Sequence, residues 1–171
     1  MKTLVVYYSL TGNVDFVADR IASLLGADLL RLEPVKNYPD KGIKKFFWGG
    51  KSAVMGEKPA LLPYAFDPAG YGVIVLGSPV WAGTFAPPLR TFLEENREAL
   101  GGKRLAAFLC SSGGKAAGAF EKLRAEAGID RFEATADFID PKDPGNSNKD
   151  TRIDNLQAFV DRLSGKKEET E

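Results

Sequence analysis

Apolar positions along this chain fall into two alternating patterns. Leu4-Val5-Val6-Tyr7-Tyr8, Val73-Ile74-Val75-Leu76 and residues 104–110 are short, nearly unbroken apolar runs, the first two rich in β-branched or aromatic residues. Such runs predict strands buried on both faces. Residues 27–32 and 132–139 predict two more strands. Between them, apolar residues recur at helical spacing: Val14, Val17, Ala18, Ile21 and Leu25; Leu89, Phe92 and Leu93 within 87–100; Ala116, Phe120, Leu123 and Ala127 within 115–127; Ile153, Leu156, Val160 and Leu163 within 150–163. Each forms one stripe flanked by polar positions, as on an amphipathic helix. The stretch from Glu33 to Gly70 is interrupted by five prolines and predicts one further helix near 43–54.

Strands alternating with helices predict an α/β fold: a doubly wound, five-stranded parallel sheet with helices on both faces. Residues 1–164 form one domain in this reading, and 165–171 a disordered tail. In the strand order 2-1-3-4-5, the loops after strands 1, 3 and 4 converge beyond the carboxyl ends of the strands, where such sheets bind ligands. Those loops are 9–13, 78–87 and 111–114.

The first loop, Ser9-Leu10-Thr11-Gly12-Asn13, joins a strand to a helix start. Unpaired N–H groups and a partial positive charge at that point suit a phosphate. The loop has no lysine, so it predicts a single phosphate held by neutral donors rather than a magnesium-bound triphosphate. Helix capping by Ser9, Thr11 or Asn13 explains the same residues with no ligand. The second loop carries Gly77-Ser78-Pro79-Val80-Trp81-Ala82-Gly83-Thr84-Phe85. Trp81 and Phe85 are expected outside the cover of the sheet. Hiding a Trp there removes about 150–250 Å² from water, worth ~4–6 kcal/mol at most, which a planar aromatic ligand would supply. Packing of Trp81 on a neighbouring helix is the alternative. The third loop, Ser111-Ser112-Gly113-Gly114, is small enough for a flat ring to lie against backbone N–H groups. Cys110 before it reads as a small apolar strand end rather than a nucleophile.

Composition narrows the chemistry. Lys+Arg and Asp+Glu are both 23, so no global basic field favours nucleic acid. Histidine is absent, which removes His-based triads and His metal sites. A lone cysteine excludes an internal disulfide and points to a reducing, cytoplasmic setting. Lys2 and the apolar run after it are better explained by a first strand than by a signal peptide, because the run stops at Ser9 with no A-x-A site. No apolar stretch approaches the ~18 residues that predict membrane insertion. Neither GxGxxG nor Gly-x-Ser-x-Gly occurs.

At the loops the chain resembles the flavodoxin family. The family's phosphate loop, [ST]-x-T-G-x-T, is matched by Ser9-Leu10-Thr11-Gly12-Asn13-Val14, and Gly77-Ser78-Pro79-Val80-Trp81 is similar to its flavin loop. The resemblance covers nearly the whole chain in element order and is of the short-chain type. It implies the flavodoxin-like fold and a bound flavin mononucleotide (FMN). By position, Ser9, Leu10, Thr11, Gly12, Asn13 and Val14 would surround the phosphate. Pro79, Val80, Trp81, Ala82, Gly83 and Thr84 would border the isoalloxazine, with Trp81 stacked on it, and Ser111, Ser112, Gly113 and Gly114 would approach its other side or its pyrimidine edge. No catalytic side chain and no metal are implied. Val14 replaces the last Thr of the motif. Ala82 stands where many flavodoxins have a glycine whose peptide turns over toward flavin N5–H, and a non-glycine residue resists positive φ. The zero net charge departs from strongly acidic electron carriers.

The implied function is electron transfer between redox proteins, a reductase and an acceptor. An NAD(P)H-dependent flavin or quinone reductase on the same fold is the second expectation. A binding module that has lost flavin and uses the Trp81 surface is the third. Lys36, Lys41, Lys44, Lys45, Lys51 and Lys58 oppose only Asp40 and Glu57 within 36–58, a solvated face or a docking patch for an acidic partner. Phe46-Phe47-Trp48 in that segment is expected in the core, the alternative being a lid that covers the flavin or lines a substrate pocket.

Overall fold

The computed structural model describes residues 2–114, 116–143, 145 and 149–165. The tail 166–171 and Lys115 lie outside the described residues. The strands are β1 (Lys2–Tyr7), β2 (Asp28–Arg31), β3 (Tyr71–Trp81), β4 (Thr84–Phe85), β5 (Arg104–Ser111) and β6 (Thr135–Ile139). The helices are α1 (Asn13–Leu25), α2 (Gly42–Val54), α3 (Pro87–Glu95), α4 (Arg97–Leu100), α5 (Ala116–Ala127) and α6 (Lys149–Ser164). Five strands are parallel in the order β2-β1-β3-β5-β6, and β4 pairs antiparallel with the end of β3. With β4 set aside this is the expected order 2-1-3-4-5. The sixth strand is the difference.

The unbroken apolar runs follow from burial on both faces. Val5 and Tyr7 of β1 join Val75, Phe108 and Phe138 under α1 and α6. The alternate residues Leu4 and Val6 join Ile74, Leu76 and Leu109 under α3 and α5. Successive strand residues point to opposite faces, so a strand covered on both sides has no polar position to spare. Among the described residues no helix is long and apolar enough to cross a membrane.

Several expectations are corrected. The third strand runs far past Leu76, because β5 stays in register with β3 as far as the pair Pro79 and Cys110. Phe85 is completely buried rather than exposed on a loop. Ala82 (φ 49°) and Gly83 (φ 73°) form a two-residue hairpin turn that folds β4 back, pairing Trp81 with Thr84 and Val80 with Phe85. The expected helix 87–100 is two helices broken at Asn96 (φ −117°, ψ 16°). The Asn96 side-chain amide donates to the Phe92 carbonyl at 2.9 Å and to the Tyr64 hydroxyl at 2.8 Å, which offers the chain an alternative to the helical ladder. Trp48 is 51% exposed, not core, with the Lys51 ammonium 5.6 Å from its ring centre. The Glu94 carboxylate pairs with Lys58 at 2.8 Å on the surface.

Candidate functional site

The loop after β1 is tied to α1 by one hydroxyl. Ser9 is buried, and its Oγ accepts the N–H groups of Gly12 and Asp15, each at 3.2 Å. Gly12 precedes the helix at φ 94°, a conformation open to glycine at little cost, and caps it with no side chain. The capping expectation therefore falls on Ser9 alone. Asn13 and Val14, the next N–H groups, lie in the first turn and have no acceptor among the described residues. They leave a pair of free donors at the positive end of α1. Asp15 in the same turn would oppose an anion there. Arg31 from β2 binds both of its carboxylate oxygens, at 2.7 and 2.6 Å, and donates to the Ser9 carbonyl at 3.1 Å.

The second wall is the β3–β4 hairpin. Ser78 is fully buried at its base; its Oγ accepts the Ala86 N–H and donates to the Pro79 carbonyl, both at 2.8 Å. At its tip Ala82 adopts the positive φ that sequence reasoning argued against. Left-handed backbone costs an alanine ~1–2 kcal/mol, held here by the hairpin pairing on either side. Ala82→Gly is expected to raise stability by about 0.5–1 kcal/mol, since relief of that cost exceeds the added freedom of the unfolded chain. The check is a urea midpoint that rises at constant m-value.

Trp81 is packed on three sides. The Tyr38 and Tyr8 rings meet it edge-on, with centroids 5.1 and 5.7 Å away. Gly49 of α2 faces it so closely that an added Cβ would lie 3.3 Å from the indole. The alternative of packing on a neighbouring helix is thus partly realised, and α2 is brought to the site. Burial raises the Tyr8 and Tyr38 hydroxyl pKa values above the usual tyrosine range, so both stay neutral at physiological pH.

The three loops enclose a cavity of about 340 Å³. Of the residues singled out in the sequence, Ser9, Leu10, Thr11, Asn13, Val14, Pro79, Val80, Trp81, Ala82, Ser111 and Ser112 line it. Gly12, Gly83, Thr84, Gly113 and Gly114 do not. Thr84 faces a separate cavity with Arg90, Lys122 and Glu126, and the Gly83 carbonyl accepts from Lys122 at 3.1 Å. Cys110 and Gly50 also line the first cavity. Burial, with the Asp140 carboxylate second, pushes the Cys110 thiol well above its usual range. It is a protonated wall, not a nucleophile.

Sequence reasoning missed Gly49, Gly50 and Lys142. The two glycines lie in the helix for which a cover over the flavin was the alternative expectation, but no local signal singles out their positions. The Lys142 side chain passes over Gly12, although it comes from the connection after β6.

A flavoprotein from Lactobacillus acidophilus NCFM, solved in complex with FMN, is similar to this chain at 23% identity and TM-score 0.70, over 91% of this chain and 98% of that one. Oxidised flavodoxin 1 from Bacillus cereus is similar at 16% identity and TM-score 0.54, over 96% and 98%. A flavodoxin, WrbA-like protein from Agrobacterium tumefaciens is similar at 13% identity and TM-score 0.55, over 97% and 99%. At these identities the likeness is one of fold. No curated protein sequence matches. The sequence model of the flavodoxin family matches residues 2–136, and this chain belongs to that family.

Proposed function

We propose that this protein binds FMN and carries electrons between other redox proteins. The observation that carries the reading is one cavity with two different ends. Free backbone N–H groups of Asn13 and Val14 stand at the start of α1, and the indole of Trp81 stands in the opposite hairpin. This donor set fits an organic phosphate joined to a flat ring: neutral donors and a helix terminus for the anion, an aromatic wall for the ring. Bound FMN would supply the redox chemistry. The chain's own residues bind and orient. Thr11 offers a hydroxyl beside the free N–H groups, Arg31 withdraws the competing Asp15 carboxylate, and Ser111 and Ser112 border the cavity from β5.

The cavity of about 340 Å³ lies in the ordinary range for a small-molecule site. The exposed Lys36, Lys41, Lys44 and Lys51 suit an acidic redox partner, with salt-sensitive association.

The test is titration of flavin-free protein with FMN, followed by anaerobic addition of NAD(P)H. Saturable quenching of flavin fluorescence at one FMN per chain is expected, with no bleaching by NAD(P)H until a separate reductase is added. Rapid bleaching by NAD(P)H alone would assign the reductase reading instead. Absence of any FMN uptake would end both.

A further inference from the structure

The first loop lacks a lysine, yet the fold delivers one to it. Lys142 is 129 residues from Asn13 in sequence, in the connection that leaves β6. Residues 140–143 form a tight turn in which the Asp143 N–H donates to the Asp140 carbonyl at 3.0 Å. Pro141 occupies the second position, where its fixed φ suits such a turn. The turn is docked at two points: the Asp140 N–H donates to the Ser111 carbonyl at 2.9 Å, and the Lys142 N–H to Asn13 Oδ1 at 3.3 Å. Its backbone is therefore bonded to both the third loop and the first.

From that position the Lys142 side chain runs across Gly12. A Cβ placed on Gly12 would lie 2.9 Å from Nζ and 3.7 to 3.8 Å from Cδ and Cε. Gly12 thus serves twice, by adopting positive φ and by leaving room for the ammonium. Among the described residues that ammonium pairs with no carboxylate. It stands next to the helix start where the Asn13 and Val14 N–H groups are free.

We propose that Lys142 is a cationic arm of the phosphate site, pairing with the phosphomonoester and favouring phosphorylated flavin over riboflavin. This rests on the FMN reading above. The neutral donors of the loop fix the position of the phosphate, whereas the lysine supplies a point charge that riboflavin, lacking the phosphate, cannot use. Lys142 is exposed, so the pairing is screened and its effect on affinity is moderate.

Flavin-free wild type, Lys142→Gln and Lys142→Arg are titrated with FMN and with riboflavin at low and high salt, following flavin fluorescence. Lys142→Gln is expected to weaken FMN binding about five- to tenfold at low salt and to leave riboflavin binding unchanged. Lys142→Arg retains FMN affinity, and high salt narrows the gap between wild type and Lys142→Gln. Equal FMN affinity in wild type and Lys142→Gln overturns the role of Lys142 while leaving the FMN reading intact. Equal losses for both flavins overturn it too, by assigning Lys142 to the shape of the loop. Wild type that takes up neither flavin overturns the FMN reading, and this inference with it.

Discussion

Gly77→Ala is expected to destabilise the fold by about 3 kcal/mol, at the upper end for overpacking a core. Tyr7, Gly77 and Phe108 lie side by side in one row across β1, β3 and β5. Large residues on either side lean over the central glycine. A Cβ there would sit 2.3 Å from Phe108 Cζ, 2.6 Å from Cε1 and 2.9 Å from Tyr7 Cβ. Phe108 is fully buried and meets Phe138 edge-on at 6.4 Å, so it has no space to swing into, and Tyr7 Cβ moves only with its strand. The strain also reaches the site, because the Gly77 carbonyl accepts the Tyr8 N–H at 3.1 Å just before the first loop. Urea unfolding should show the loss as a lower midpoint. The double variant Gly77→Ala/Phe108→Leu, which trims the ring that clashes, should recover part of it, including in the case where Gly77→Ala alone does not fold. A loss below about 1 kcal/mol would mean that the row relaxes more easily than these distances allow.

Trp81→Ala is expected to weaken FMN binding about 30-fold, within the ~1–3 kcal/mol that an aromatic platform contributes to a stacked ring. Riboflavin should lose affinity by the same factor, since the indole acts on the ring they share. This is the opposite of the pattern for Lys142→Gln, and the two variants together separate the ring end of the cavity from the phosphate end. Loss of the edge contacts with Tyr8 and Tyr38 should also cost the flavin-free protein about 1–2 kcal/mol. Trp81→Phe should restore most of the affinity. Wild-type affinity for both flavins in a folded Trp81→Ala protein would remove the indole from the site.

Much of the fold was legible before the structure because its signals are local. A buried parallel strand must be apolar at consecutive positions, and an amphipathic helix must repeat near every 3.6 residues, so β1, β5, α1 and α5 were visible in windows of a dozen residues. The three loops at the carboxyl ends followed from element order alone. The errors arose where a local signal was overruled by a distant partner. Gly77 and Pro79 looked like the end of a strand, but pairing with β5 carries β3 through both. Ala82 looked unsuited to positive φ, but pairing of Trp81 with Thr84 imposes it. The helix 87–100 looked continuous until Tyr64, 32 residues from Asn96, accepted that side chain's amide.

The amino-acid sequence by itself thus determined the alternation of strands and helices and the small, hydroxyl-rich loops, because each depends on chemistry repeated within a few residues; the sheet order was implied by the family resemblance those loops carry. Tertiary structure alone decided that Gly49 packs on Trp81, that Arg31 neutralises Asp15, and that Lys142 crosses Gly12. Those contacts join residues from 16 (Arg31 with Asp15) to 130 (Lys142 with Gly12) positions apart, and chain folding brings such pairs together with no periodicity or turn chemistry to announce them.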